Sequence, residues 1–172
     1  MRTFLCAAVA IALLTITAAS VGAGPEDDVY EYRHVEPLTT TPAETVQIYE
    51  LLASYQRAAS AKDLNSMMSL WGTDATLTIR GQTYRGKSQV RAWFANIAGS
   101  FRPRNNWVSL TPSQKTRITV QGRQATLYFE SLYLDVKTRG VRSQIAADTT
   151  LVRFNEGWLI ERMIATPASL VR

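Results

Sequence analysis

Two capped helices followed by long alternating strands set the tightest limit on how this chain can fold. The stretch from Thr41 to Leu77 carries both helix starts and the approach to the first strand. Thr41 is placed to cap a helix, Pro42 suits its first position, and Glu44 completes a capping box. Ile48, Leu52, Tyr55 and Ala59 then recur at helical spacing and define one buried face. Lys62 and Asp63 end that helix, and Asp63 caps a second one whose apolar side is Leu64, Met67, Met68 and Trp71. Trp71-Gly72-Thr73-Asp74 leads into a strand from Ala75, where Leu77 and Ile79 alternate with threonines. Capping explains Asp63 and strand-approach geometry explains Asp74, so neither carboxylate is assigned to chemistry.

Gly81-Gln82 reads as a turn, with Thr83 to Arg85 as its return strand. A third helix follows Gly86-Lys87-Ser88, with Val90, Trp93, Phe94 and Ile97 as its stripe and Gly99 as its stop. The remainder reads as antiparallel strands over residues 107–110, 114–120, 124–136, 141–154 and 158–165. Two of these are long, which favours a bent and twisted sheet over a flat one. Helices first and hairpins afterwards predict an α+β domain with helices covering one sheet face.

The chain has 172 residues, enough for one domain with a real core. Residues 1–23 read as a secretory signal peptide: Arg2 starts it, an apolar run extends from Phe4 to Ile16, and small residues up to Ala23 follow. Secretion or delivery to the periplasm is expected, with a retained N-terminal anchor as the alternative. No membrane span is expected in the mature chain, because no later segment approaches the ~20 apolar residues a spanning helix needs. Residues 24–41 are polar, contain Pro25, Pro37 and three consecutive threonines, and read as a flexible leader ahead of a domain at 42–168. The single cysteine, Cys6, falls inside the signal, and the single histidine, His34, falls inside the leader. Cys/His zinc sites and Ser-His-Asp or Cys-His arrangements therefore lack parts within the domain, and neither metal nor cofactor is expected. The net charge of +5 comes from scattered Lys and Arg, so a nucleic-acid partner is not expected.

The order and spacing of several motifs resemble the nuclear-transport-factor-2-like superfamily, in particular its SnoaL-like branch. The residues that carry this are Tyr55, Ala61-Lys62-Asp63-Leu64, Trp71 to Leu77, Tyr84-Arg85-Gly86-Lys87, Val152-Arg153-Phe154-Asn155 and Gly157-Trp158. The resemblance implies a cone-shaped α+β barrel: a strongly curved antiparallel sheet with three N-terminal-half helices enclosing a mostly apolar pocket. It also implies a pocket tyrosine at Tyr55. The ketosteroid isomerase branch keeps its proton-shuttling aspartate where this chain has Ile79, and its second aspartate near Thr150. Dehydratase-like members need pocket histidines, and Trp107 stands where one would be expected.

By the same resemblance Leu127, Phe129, Ser131 and Tyr133 face the cavity and line it with Tyr55, Ile79, Trp107 and Thr150. On the next strand Asp148 shares a face with Ala146, Thr150 and Val152 by the two-residue period. A concave placement of that face would make Asp148 an acid–base candidate with Tyr55 or Tyr133 polarising an oxygen; pairing with a basic residue such as Arg162, or accepting backbone hydrogen bonds, is the structural alternative. The leading expectation is a domain that binds a small, largely apolar or cyclic molecule without altering it. The runner-up is an isomerase, cyclase or dehydratase-type enzyme using Asp148. The opposite sheet face, with Tyr128, Leu132 and Leu134, is apolar enough to predict a homodimer, which a solution mass of one chain would contradict.

Overall fold

The computed structural model describes residues 42–111, 115–155 and 157–167. The signal, the leader with His34, the Thr41 cap and the strand start at Gln114 lie outside the described residues. Helix α1, Pro42–Ala61, buries Ile48, Leu52, Tyr55 and Ala59 as its periodicity predicts, with Leu51 and Ala58 beside them. It ends where Lys62 turns left-handed, at φ 58°, and the Asp63 N–H donates to the Ala58 carbonyl at 2.9 Å. Asp63 then caps α2, Leu64–Ser69. Its Oδ1 accepts from the Asn65 and Ser66 N–H groups at 3.0 Å each, and its Oδ2 accepts from Ser66 Oγ at 2.6 Å. The Ser66 hydrogen bonds hold this carboxyl below its usual range.

Strand β1 spans Trp71–Ile79 and so starts four residues before the predicted Ala75. The reason is a neighbour distant in sequence: Trp71 pairs in parallel with Ile160, and the register is irregular between Trp71 and Thr76. The hairpin to β2, Gln82–Arg85, turns at Arg80 and Gly81, with φ of 51° and 75°, rather than at Gly81-Gln82. Both residues are left-handed, the geometry of a mirror-image two-residue turn. Helix α3, Gly86–Asn96, buries Val90 and Phe94, but it stops before Ile97, which is 54% exposed. Gly99 opens a short 3-10 turn, Gly99–Phe101, rather than ending α3.

The other strands are β3, Trp107–Leu110; β4, Thr116–Gln121; β5, Gln124–Asp135; β6, Gly140–Phe154; and β7, Gly157–Pro167. Together the seven form one sheet in the order β2-β1-β7-β6-β5-β3, with β4 sharing the β5 edge; all pairings are antiparallel except β1 with β7. The long strands curl round α1 and α3. On β5, Ala125, Leu127, Phe129, Ser131 and Tyr133 are buried on the concave side, and the Phe129 ring meets Tyr55 edge-on at 5.6 Å.

The faces of β6 are reversed from the expectation. Phe129 lies opposite Ala147, and Tyr128 lies opposite Asp148. Directly opposed residues share a sheet face, so Ala147, Thr149 and Leu151 turn inward while exposed Asp148 and half-buried Thr150 turn outward. The cause is one extra residue. Tyr133 pairs with Ser143 and Leu134 with Val141, leaving Arg142 as a bulge. An unbulged hairpin would set Asp148 against the inward Leu127; the bulge shifts the count by one and flips it.

The convex face carries a polar network at its centre. Arg117 stacks 3.9 Å over the Tyr128 ring, and the Tyr128 hydroxyl donates to Glu130 Oε1 at 2.8 Å. Lys115 pairs with Glu130 Oε1 at 3.5 Å, and Gln144 donates to its Oε2 at 3.1 Å. Half-buried Leu132 and Leu134 flank this network.

Candidate functional site

A cavity of about 340 Å³ opens between the concave sheet and the α3 end of the helical layer. Its size falls at the lower end of the range typical of small-molecule sites, roughly 300–1,000 Å³. Leu77, Ile79, Met163 and Ala165 supply one apolar wall from the paired β1 and β7. Trp93, Phe94 and Ile97 supply another from α3 and its end. Trp107 closes a third side, with its indole packed against Gly99; a Cβ on Gly99 would meet that ring at 3.4 Å. Asn105 fixes this corner by donating to the Gly99 carbonyl and accepting from the Trp107 N–H at 3.2 Å.

The inner end of the cavity is built from hydroxyls. Tyr55 reaches it from α1 and Tyr133 from β5, with Ser100 from the 3-10 turn; Ser109 of β3 lies opposite Tyr133 but is not itself part of the wall. Burial pushes the Tyr55 phenol well above its ordinary value near 10, and the neighbouring Tyr133 reinforces the shift through its charge and hydrogen bond. Burial also raises Tyr133, while Ser100, Tyr55 and Ser109 pull it partly back. The Ser109 contact is long, because its buried Oγ has no partner within hydrogen-bonding distance. Both phenols are therefore neutral donors at ordinary pH.

The sign of their linkage to stability follows. A folded-state pKa above the unfolded one contributes stability below about pH 10, and that contribution is lost as pH rises beyond it. Denaturant titrations across the alkaline range are expected to show a level plateau and then a fall starting near pH 10. Tyr133→Phe should make the fall shallower, and identical slopes for both proteins would contradict this.

Of the residues expected from sequence, Tyr55, Ile79, Trp107 and Tyr133 come together on the cavity wall. Leu127, Phe129 and Ser131 are on the predicted face but lie in the core, at 1%, 1% and 0% exposure, rather than on the wall. Ser131 Oγ bonds instead with Thr111 Oγ1 at 3.0 Å. Asp148 and Thr150 lie on the convex side, so the acid–base role expected of Asp148 in this cavity is withdrawn. Among the described residues the lining contains no carboxylate, imidazole or thiol, and no group of three or more His, Cys, Asp or Glu side chains is placed to hold a metal ion.

Sequence reasoning missed Arg80, Gln82, Tyr84, Arg142 and Ser143, which also line the cavity. For Arg80 a signal existed: it follows inward-facing Ile79 directly and precedes a glycine, the pattern of a two-residue hairpin turn. Arg142 and Ser143 had none, because a bulge places them.

Comparison with known proteins agrees with this architecture. A cystatin-like-fold protein of unknown function from Nostoc punctiforme superposes with a TM-score of 0.65 at 13% identity, over 76% of this chain and 95% of that one. An NTF2-like protein with a cystatin-like fold from Novosphingobium aromaticivorans gives 0.65 at 22% identity, over 74% and 84%. A candidate dehydratase of the NTF2-like family from Streptomyces avermitilis gives 0.62 at 15% identity, over 76% and 99%. At these identities the likeness concerns the fold. No curated protein matches the chain. The sequence profile of the SnoaL-like domain matches residues 41–164, most of the chain's length, and with the curved sheet and helix-closed cavity already described, this chain belongs to the SnoaL-like domain family of the NTF2-like fold.

Proposed function

We propose that this is an exported binding protein that holds a small, largely apolar molecule in the cavity without transforming it. One observation carries the reading: an apolar chamber ends in neutral hydroxyl donors, and among the described residues its lining offers no group able to take up a proton near neutral pH. A carbonyl, ether or hydroxyl oxygen on the ligand would accept from Tyr55 or Tyr133. Such hydrogen bonds orient a ligand. They also polarise a carbonyl, but an isomerase- or dehydratase-type reaction would further require a base in reach, and Asp148 is on the wrong face. Export rests on the N-terminal signal, and recovery of the full-length chain from the cytoplasm alone would count against it.

The test is a titration with N-phenyl-1-naphthylamine, an uncharged fluorophore that brightens in apolar surroundings. Trp93 and Trp107 line the cavity, so binding there should quench their emission by energy transfer to the probe. Ser143→Trp places an indole across the chamber and should weaken binding at least about tenfold, by loss of volume, with the circular dichroism unchanged. Absence of binding at micromolar probe, or equal binding by the variant, would overturn the reading.

A further inference from the structure

The mouth of the cavity differs in charge from its interior. Arg80 and Arg142 both line it, and among the described residues no acidic side chain does. Arg80 sits at the tip of the β1–β2 hairpin and makes no ion pair among the described residues. Its φ of 51° is unusual for so large a side chain. Asn, Asp or Gly would occupy that turn position with less strain. The turn thus holds a guanidinium at the rim where a smaller residue would serve the backbone better.

Arg142 reaches the same rim from the other side of the chamber, because the β6 bulge points it there. Its Nε donates to Asp135 Oδ2 at 3.3 Å and its Nη2 to Thr138 Oγ1 at 3.0 Å, which fixes the guanidinium plane. Asp135 is already engaged by the Lys137 and Thr138 N–H groups through Oδ1, at 2.9 and 3.2 Å. That carboxylate pairs with Arg142 alone, and Arg80 has no acidic partner among the described residues, so the rim keeps a net positive charge.

Resting on the binding reading above, we infer that the natural ligand is an amphipathic anion. Its apolar body fills the chamber, and a carboxylate or similar oxyanion stays at the rim between Arg80 and Arg142. Guanidinium groups match such oxyanions by paired hydrogen bonds. An anion at the rim remains partly hydrated, and only the apolar body is taken out of water.

The probe pair is 1-anilinonaphthalene-8-sulfonate and uncharged N-phenyl-1-naphthylamine, which share one apolar frame and differ by the sulfonate. The native protein should bind the sulfonate more tightly by about tenfold, the size of one charge-assisted contact. That preference should shrink as salt is raised. Arg80→Gly suits the left-handed turn, so its melting temperature should hold or rise while the preference for the anion falls to about twofold or less. Arg123→Ala removes one equal charge at the opposite end of β5 from Tyr133 and should leave the preference intact. Equal affinities for the two probes, or a preference that survives Arg80→Gly, would overturn the inference while leaving cavity binding standing. Failure of both probes to bind would overturn the binding reading, and this inference with it.

Discussion

Phe94→Ala is expected to lower the unfolding free energy by about 3–5 kcal/mol. For a domain of this size that corresponds to a fall of roughly 10–20 °C in melting temperature. Phe94 is 2% exposed and stands where α3 meets the rest of the core. Its ring makes edge-on contacts with Trp93 at 4.9 Å, Phe101 at 5.1 Å, Trp71 at 5.9 Å and Tyr55 at 6.5 Å. Those partners come from α3 itself, the 3-10 turn, β1 and α1, so one ring joins four separate pieces of chain. Aromatic pairs add about 0.5–1.5 kcal/mol each beyond the area they bury, and truncation would remove four at once. The gap would also merge with the existing cavity, of which Phe94 is already a wall. Phe94→Leu keeps much of the volume and should lose less than half as much. Thermal melts with both variants check this, and a loss under about 1 kcal/mol for alanine would mean that α3 is not anchored through this ring.

Features set by single residues acting locally were legible in the sequence. Asp63 announces a cap because its carboxylate can reach the N–H groups two and three residues ahead, and it does so. Ile48, Leu52, Tyr55 and Ala59 announce a buried stripe because helical spacing puts them on one side. Ile79 and Tyr133 were placed on the cavity by family resemblance, and alternation within an unbroken strand kept that placement correct. Errors arose where a partner distant in sequence decides the geometry. Trp71 joins β1 only because Ile160 pairs with it. The inward set of β6 depends on Arg142 being squeezed out of register, and Ala146-Ala147 and Thr149-Thr150 offer each face the same residue types. No local pattern distinguishes those faces. Of the rim arginines, Arg142 was lost for the same reason, because it stands on the bulge; Arg80 was lost although a local signal marked it, because its turn was placed one residue late.

Ala147→Asp and Asp148→Ala test that reversed face directly, with opposite expected results. Ala147 is 0% exposed and lies between Phe129 on β5 and Ala165 on β7. A carboxyl there would be overpacked and without an opposing donor, so the loss is expected to be about 4–6 kcal/mol. Asp148 is exposed on the convex side, and its removal should change stability by no more than about 0.5 kcal/mol. The pH response supplies a second check. Burial would raise the folded-state pKa of the introduced carboxyl above the unfolded value near 3.9. The folded state would then hold the proton more tightly, and the damage would be smallest below about pH 4 and grow as pH rises. Had β6 followed the unbulged count, the two variants would exchange roles. Asp148→Ala would then remove a buried charge and raise stability, while Ala147→Asp would sit harmlessly in water. Denaturant titrations of the pair near pH 4 and pH 7 therefore decide which side of the sheet Asp148 occupies, and with it whether any carboxylate of β6 can reach the cavity.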